Sequence, residues 1–203
     1  MYGRTWYCFF SYTFLHPNQA RAMTDSKIDT RLMWEIAEDS PLSQEQLDAI
    51  VKKHQAFIAS GGGGGTWETL LAAGVVFAIY RGPAGNEAEL RYKKIEGLAL
   101  HGLVLPYSEW IGSLCRGQDL SGADLTGSVL TDADFTGTSF RNAKLSRDDF
   151  SRSKLVHCDF RGADLSGTDL ENADLSFADL RGARLDDAKT PGTNFTSARR
   201  GPP

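Results

Sequence analysis

A five-residue rhythm governs the second half of this 203-residue chain. From Arg116 the sequence divides as RGQDL SGADL TGSVL TDADF TGTSF RNAKL SRDDF SRSKL VHCDF RGADL SGTDL ENADL SFADL RGARL. Every fifth residue is Leu or Phe: Leu120, Leu125, Leu130, Phe135, Phe140, Leu145, Phe150, Leu155, Phe160, Leu165, Leu170, Leu175, Leu180 and Leu185. Two residues before nearly all of them stands something small, as at Ala123, Ser128, Ala133, Thr138, Ala143, Ser153, Cys158 and Ala163. Residues five apart on an α-helix are rotated by roughly 140°, so this row would wind around a helix and form no buried stripe. In a flat strand an odd spacing sends alternate members to opposite faces. What remains is a chain that turns once per pentad and points each large residue at one axis. A strict short period of this kind means a solenoid.

Turning so often needs corner residues. Gly117, Gly122, Gly127, Gly137, Gly162, Gly167, Gly182 and Gly192 recur in one slot, with Asn142 and Asn172 in the same place. Gly and Asn tolerate the left-handed backbone that tight turns demand.

The pattern resembles the pentapeptide-repeat family, whose motif is A-(D/N)-L-x-x. Ala123-Asp124-Leu125, Ala133-Asp134-Phe135, Ala163-Asp164-Leu165, Ala173-Asp174-Leu175 and Ala178-Asp179-Leu180 carry the match. The resemblance covers residues from about 116 to 195. It implies a mainly β solenoid, a right-handed quadrilateral β-helix with four pentapeptides per coil, the Leu/Phe row and the small residues filling its interior. With coils spaced by ~4.8 Å, as adjacent strands are, the regular repeats make a rod on the order of 17 Å long.

The same phase extends backwards through Leu70, Val75, Tyr80, Leu90, Ile95, Leu100, Leu105, Trp110 and Cys115, broken only at Gly85. Residues 66–115 therefore read as degenerate coils continuous with the regular ones over 116–200, interrupted by a loop around Gly82–Asn86. The rival reading is a separate capping subdomain with an apolar strand at Gly74–Tyr80. Lys93, Leu98 and Leu103 are bulky residues in the small slot and speak against perfect coils.

Ahead of this, residues 23–65 predict a helical cap and a Gly-rich linker. Ser26–Glu38 sets Ile28, Leu32 and Ile36 on one helical face. Ser43–Ser60 begins with a capping-box pattern, Ser43 and Gln46. It carries the stripe Leu47, Ile50, Val51, His54, Phe57 and Ile58, and Gly61 is placed to end it. Helices ahead of a Gly-rich stretch look like those that plug the open N-terminal end in the family resembled. An uncovered solenoid end exposes unpaired backbone and apolar rungs, which invites aggregation. Residues 1–22 are an extension. The apolar run Trp6–Leu15 is too short to span a membrane, and with Arg4 before it and Ala20-Arg21-Ala22 behind, the segment is also signal-peptide-like. The reading preferred is an upstream extension with Met23 opening the functional chain, hence a cytoplasmic protein; a signal peptide would make it an exported one.

Composition excludes little. The net formal charge is −4, and after Cys115 there are 12 basic against 14 acidic residues. Neither half is a polyanion or a polycation, so nucleic-acid binding is not expected. Cys8, Cys115 and Cys158 form no disulfide framework and no zinc spacing. Cys115 and Cys158 fall in interior slots and read as core fillers. No catalytic, cofactor-binding or metal-binding set emerges. Gly61–Gly65 lacks the Lys-Ser/Thr of a phosphate loop, His101 and His157 lack metal-spaced companions, and Ser and Asp are abundant because the repeat uses them.

With four repeats per coil, residues 20 apart stack on one face. The outward columns are Ser121, Arg141, Arg161, Arg181; Asp119, Ser139, Asp159, Asp179; Asp124, Lys144, Asp164, Arg184; and Asp134, Lys154, Asp174, Asn194. A self-neutralised exterior is the plainer account, since the Asp column cancels much of the field of its neighbour. The functional reading makes Arg141, Arg161 and Arg181 a ladder for an acidic partner, with Phe177 as an exposed apolar anchor. The expected function is that of a non-enzymatic, rigid protein–protein interaction module. The alternative that the resemblance implies is a DNA mimic protecting a type II topoisomerase, DNA gyrase or topoisomerase IV, from inhibitors. The alternating columns are unlike a duplex, with its one negative charge per ~1.7 Å. An enzyme housed in 23–115 is the third reading.

Overall fold

The computed structural model describes residues 37–62, 65–72, 75–81 and 88–202, with backbone alone over 66–81. The expectations for 1–22, for most of Ser26–Glu38 and for the Gly82–Asn86 loop lie outside the described residues.

From Glu89 onward, Ala99 excepted, the residue before the large one pairs in parallel with a residue twenty positions later: Asp124 with Lys144, Lys144 with Asp164, Asp164 with Arg184. Twenty residues per coil and five per side make a four-sided solenoid. On one side Leu125 N–H donates to Lys144 O at 2.9 Å, and Lys144 N–H donates back to Ala123 O at 2.8 Å. Most corners close locally. Ala123 N–H donates to Leu120 O at 3.1 Å across Ser121 and Gly122, and Gly122 has φ +69°. A left-handed third residue is what a type II turn requires. The acidic residue of the motif caps the corner that follows it: Asp124 Oδ1 accepts from Thr126 N–H at 3.2 Å, Asp164 Oδ1 from Ser166 N–H at 3.0 Å and Asp174 Oδ1 from Ser176 N–H at 3.0 Å. Side-chain acceptance two residues on is the Asx turn, and it accounts for Asp or Asn ahead of the large residue.

The row from Leu120 to Leu180 is fully buried and forms one core. Its middle is aromatic. Phe140 stacks on Phe160 with centroids 5.1 Å apart and planes 4° apart, while Phe135 and Phe150 meet Phe140 edge-on at 5.3 and 6.1 Å. Several small-slot hydroxyls are satisfied inside: Ser153 Oγ donates to Leu130 O at 2.5 Å, Thr193 Oγ1 to Leu170 O at 2.7 Å, and Thr138 Oγ1 to Cys115 O. Leu185 departs from the expected ladder. It is only partly buried, with Phe195 and Ala198, because these last rungs have a coil stacked on one side only.

Helix α1 spans Gln44–Ala59 and starts as expected. Gln46 N–H donates to Ser43 Oγ at 3.2 Å and Ser43 N–H donates to Gln46 Oε1 at 2.9 Å, completing the capping box. It packs on the first coil. Leu42 and Leu47 join the core, Leu42 N–H donates to Lys94 O at 2.8 Å, and Ala99 N–H donates to Gln44 Oε1 at 2.9 Å. His54 is buried within the joint, its Nε2 2.7 Å from Pro106 O and its Nδ1 accepting from Ala88 N–H at 3.1 Å. The Nδ1 acceptance leaves Nε2 as the donor, so the ring is the neutral Nε2–H form.

Continuous coils from residue 66 are not what forms. Strands β1 (Thr66–Ala72) and β2 (Val75–Arg81) pair as an antiparallel hairpin, Trp67 opposite Tyr80 and Leu70 opposite Phe77. The five-residue phase places Ala72 and Phe77 at corners, where neither takes a left-handed backbone cheaply, and β-branched and aromatic residues favour an extended pair. From Ala88 the coil pattern is present, and Leu90, Ile95, Leu100, Leu105, Trp110 and Cys115 are all buried.

Candidate interaction surface

The outward columns form as ladders, and they neutralise themselves. Arg161 binds Asp159 in a two-bond fork, Nε to Oδ1 at 2.8 Å and Nη2 to Oδ2 at 2.5 Å. Arg181 holds Asp179 in the same way, at 2.9 and 2.6 Å. Arg141 reaches Asp159 at 3.7 Å, Arg161 reaches Asp179 at 3.8 Å, and Arg199 also reaches Asp179 at 3.8 Å. The Arg181 hydrogen bonds hold the Asp179 carboxyl down to about 2, and those of Arg161 lower Asp159. On the next faces Lys144 meets Asp124 at 3.2 Å, Arg184 meets Asp164 at 3.5 Å, Lys189 meets Asp169 at 3.3 Å and Lys154 meets Asp134 at 4.0 Å. Arg141, Arg161 and Arg181 do stack as one column, but their charge is spent largely on the adjoining Asp column.

Phe177 is different. It is 51% exposed and sits at a corner with φ +59°. The column through it runs Gly97, Gly117, Gly137, His157, Phe177 and Ser197. Its ring stacks on His157, centroids 5.0 Å apart and planes at 21°. A bulky residue in the left-handed region costs roughly 1–2 kcal/mol, and exposure returns little of it. Elsewhere a large corner residue lies over a glycine of the following coil. The Tyr107 ring covers Gly127, and the Asn142 and Asn172 side chains cover Gly162 and Gly192 so closely that a Cβ would not fit.

One face is withdrawn from solvent. Inward–outward alternation holds around most of the solenoid, yet Ser108–Cys115 and Ser128–Phe135 are buried without interruption. Ile111, Leu114, Val129 and Thr131 occupy outward positions there and are buried all the same. Next to them Arg152 clasps the buried Asp132 one coil away, Nε to Oδ1 at 2.9 Å and Nη2 to Oδ2 at 2.8 Å. Neither the apolar substitutions on this face nor this fork belongs to the candidate residues read from the sequence. The break in polarity at Ile111, Leu114 and Val129 was the available signal.

Also unforeseen is Asp148, the one carboxyl residue in a small slot between Ala123 and Ala188. It is buried, its Oδ1 accepting from Ser128 N–H at 2.9 Å, and burial raises its carboxyl well above the usual range. Burial likewise raises Cys115 and Cys158 and keeps them as thiols, which suits filling and not nucleophilic work. Among the described residues no cluster of three His, Cys, Asp or Glu could hold a metal ion, and no helix is long and apolar enough to cross a membrane.

Comparison with known proteins agrees with this geometry. Residues 112–147 and 149–187 match the family described as pentapeptide repeats, in eight copies. No curated protein sequence is a detectable relative of the chain. Among solved structures, a pentapeptide repeat protein from the thylakoid lumen of Arabidopsis thaliana is similar at 27% identity and TM-score 0.40, over 49% of this chain and 66% of its own length. HetL, a pentapeptide repeat protein involved in heterocyst differentiation regulation in Nostoc sp. strain PCC 7120, is similar at 25% identity and TM-score 0.31, over 56% and 68%. QnrB1, a plasmid-mediated fluoroquinolone resistance protein, aligns at 19% identity and TM-score 0.37, over 56% and 63%. The chain thus spans about two thirds of the length of these proteins. Residues 112–187 of this chain, wound as the quadrilateral β-helix of pentapeptide repeats, belong to the pentapeptide-repeat family.

Proposed function

We propose that this chain is a non-enzymatic interaction module whose solenoid presents a rigid face to a protein partner. The observation that carries this reading is the His157–Phe177 stack. The charged columns beside it are paired internally, whereas Phe177 is held at a strained corner with half its surface in water. An exposed aromatic ring with few rotatable bonds is the kind of side chain that anchors a protein interface. Arg141, Arg161 and Arg181 flank the module as a polar rim, which suits register and on-rate more than affinity. The buried face around Ile111 and Val129 leaves the remaining faces as the ones open to a partner.

The test is quantitative affinity purification from the source cells with the full chain, the Phe177→Ser variant and the Arg161→Gln variant. A partner retained by the wild type and by Arg161→Gln, and lost with Phe177→Ser, supports the anchor. Identical partners in all three reject it. Protection of DNA gyrase or topoisomerase IV is the competing reading within the same family. Lys144 and Arg184 interrupt the column of Asp124 and Asp164, and Lys154 interrupts that of Asp134 and Asp174, so these faces lack the unbroken negative charge of a duplex. Rescue of gyrase supercoiling from a poison by the wild-type chain would overturn the proposal as stated and install the DNA-mimic reading.

A further inference from the structure

The small-slot column through the middle of the solenoid reads Ala88, Ser108, Ser128, Asp148, Thr168 and Ala188. Polar residues in small slots use two patterns: Ser108 and Thr168 donate to the carbonyl three positions earlier, Leu105 O and Leu165 O, while the others named here donate to the carbonyl 23 positions earlier. Ser153 donates to Leu130 O, Cys158 to Phe135 O, Thr193 to Leu170 O and Thr138 to Cys115 O. Ser128 reaches Leu105 O at 3.3 Å in the same sense. The second pattern assigns Leu125 O to residue 148, and the Ser128 N–H that donates to Asp148 Oδ1 at 2.9 Å also donates to Leu125 O at 2.9 Å, so the carboxyl lies beside that carbonyl. A carboxylate has no proton to give it.

Asp148 is 1% exposed. Its Oδ1 is engaged by Ser128 N–H at 2.9 Å, whereas Oδ2 is buried with no hydrogen-bond partner. No cation faces it. Among the described residues the charged groups that act on it most are Asp124 on the preceding coil and Asp149 beside it, and both oppose ionisation; the Ser128 and Gly127 N–H groups favour the anion but do not outweigh burial. The stacked residue of the following coil is the uncharged Thr168. A buried polar atom left unpaired is costly, and a buried unpaired charge more so.

We propose that Asp148 is carried as a neutral carboxylic acid whose Oδ2–H donates to the Leu125 carbonyl, and that its ionisation is a pH-sensitive joint between two adjacent coils. Loss of this one proton removes the bond to Leu125 O and leaves an anion among carboxylates. For a carboxyl raised in the folded state, the stability contributed by its protonated form is whole below the unfolded value near 3.8. It is lost as the pH rises through the folded value. Over that window the unfolding equilibrium moves about tenfold per pH unit.

Two measurements on the full chain test this. Infrared difference spectra of the wild type at pH 7 should contain a protonated-carboxyl band that the Asp148→Asn variant lacks. Urea unfolding between pH 4 and 9 should show the wild type losing about tenfold per pH unit relative to Asp148→Thr over the window in which Asp148 stays protonated. Thr occupies the equivalent slot at 168, so the variant suits the coil. Carboxylate absorption alone at pH 7, or parallel pH profiles for the two proteins, overturns the proposal. Should either variant fail to fold, titration of the wild-type band decides by itself: a protonated carboxyl persisting to neutral pH supports it, and one gone by pH 5 refutes it.

Discussion

Removal of the Phe140 ring is the sharpest probe of how the solenoid is held together. Phe140 is fully buried, lies face to face with Phe160 at 5.1 Å, and meets Phe135 and Phe150 edge-on. Phe140→Ala deletes the ring in a core whose backbone is clamped by the ladders above and below. The site collapses poorly, and the expected cost is about 3–5 kcal/mol. For a chain of this size that lowers the Tm by roughly 6–20 °C. Phe140→Leu is the control. Leu120 and Leu180 occupy the same column, so Leu fits the slot, and the cost should be below about 1.5 kcal/mol. The part due to ring geometry emerges from a double-mutant cycle of Phe140→Leu with Phe160→Leu, with a coupling of about 0.5–1.5 kcal/mol. Guanidinium unfolding followed by circular dichroism gives the free energies. Because each coil contacts only its neighbours, hydrogen exchange should show protection falling first between Leu120 and Phe160. A Phe140→Ala cost below 1 kcal/mol, or a Leu variant as unstable as the Ala variant, would refute the claim that packing of this ring stabilises the coils.

Two further outcomes follow from the corners and the ion pairs. Gly162→Ala puts a Cβ against Asn142 Oδ1 at φ +69° and should cost about 1–2 kcal/mol; adding Asn142→Gly should recover part of that in thermal melts, and strict additivity of the two changes would count against the overlay of Asn on Gly. The depressed carboxyls Asp179 and Asp159 contribute stability that is complete above their ordinary value of 3.8 and is lost as the pH falls, through about 2 for Asp179. Arg181→Gln removes the main cause for Asp179, so its acid unfolding, followed by circular dichroism from pH 5 to 2, should begin at a higher pH than that of the wild type; coincident acid transitions would contradict the pairing.

Much of this was legible because the determinants are local. Ser43 and Gln46 announced the start of α1, and the left-handed φ at Gly122, Asn142 and Asn172 matches their place in the repeat. The pairing of Asp124 with Lys144 follows from residues 20 apart falling on one face. The start of the coils was not legible from the Leu/Phe row alone. Leu70, Val75 and Tyr80 keep its phase, but Ala72 and Phe77 make poor corners and the segment pairs with itself instead. Even corner chemistry is not decisive by itself, since Phe177 and Tyr92 do adopt the left-handed conformation where neighbouring coils hold them there. For the candidate surface, the Arg column could be drawn from the spacing, yet its engagement by Asp159 and Asp179 depends on side-chain reach that spacing does not express. Asp148 stands in the sequence as an acid in a small slot, but the many Asp residues of the repeat give it no local distinction.

The amino-acid order by itself determines that this chain coils with five residues to a side, because the corners are closed by turns within one pentad and many of them carry an Asx cap as well. Only the tertiary structure decides where water is kept out. Ile111, Leu114 and Val129 occupy outward positions and are buried, and Asp148 sits in a slot sized for Ala. Solvation at a residue depends on what lies against it from distant parts of the chain, and a local repeat carries no record of that.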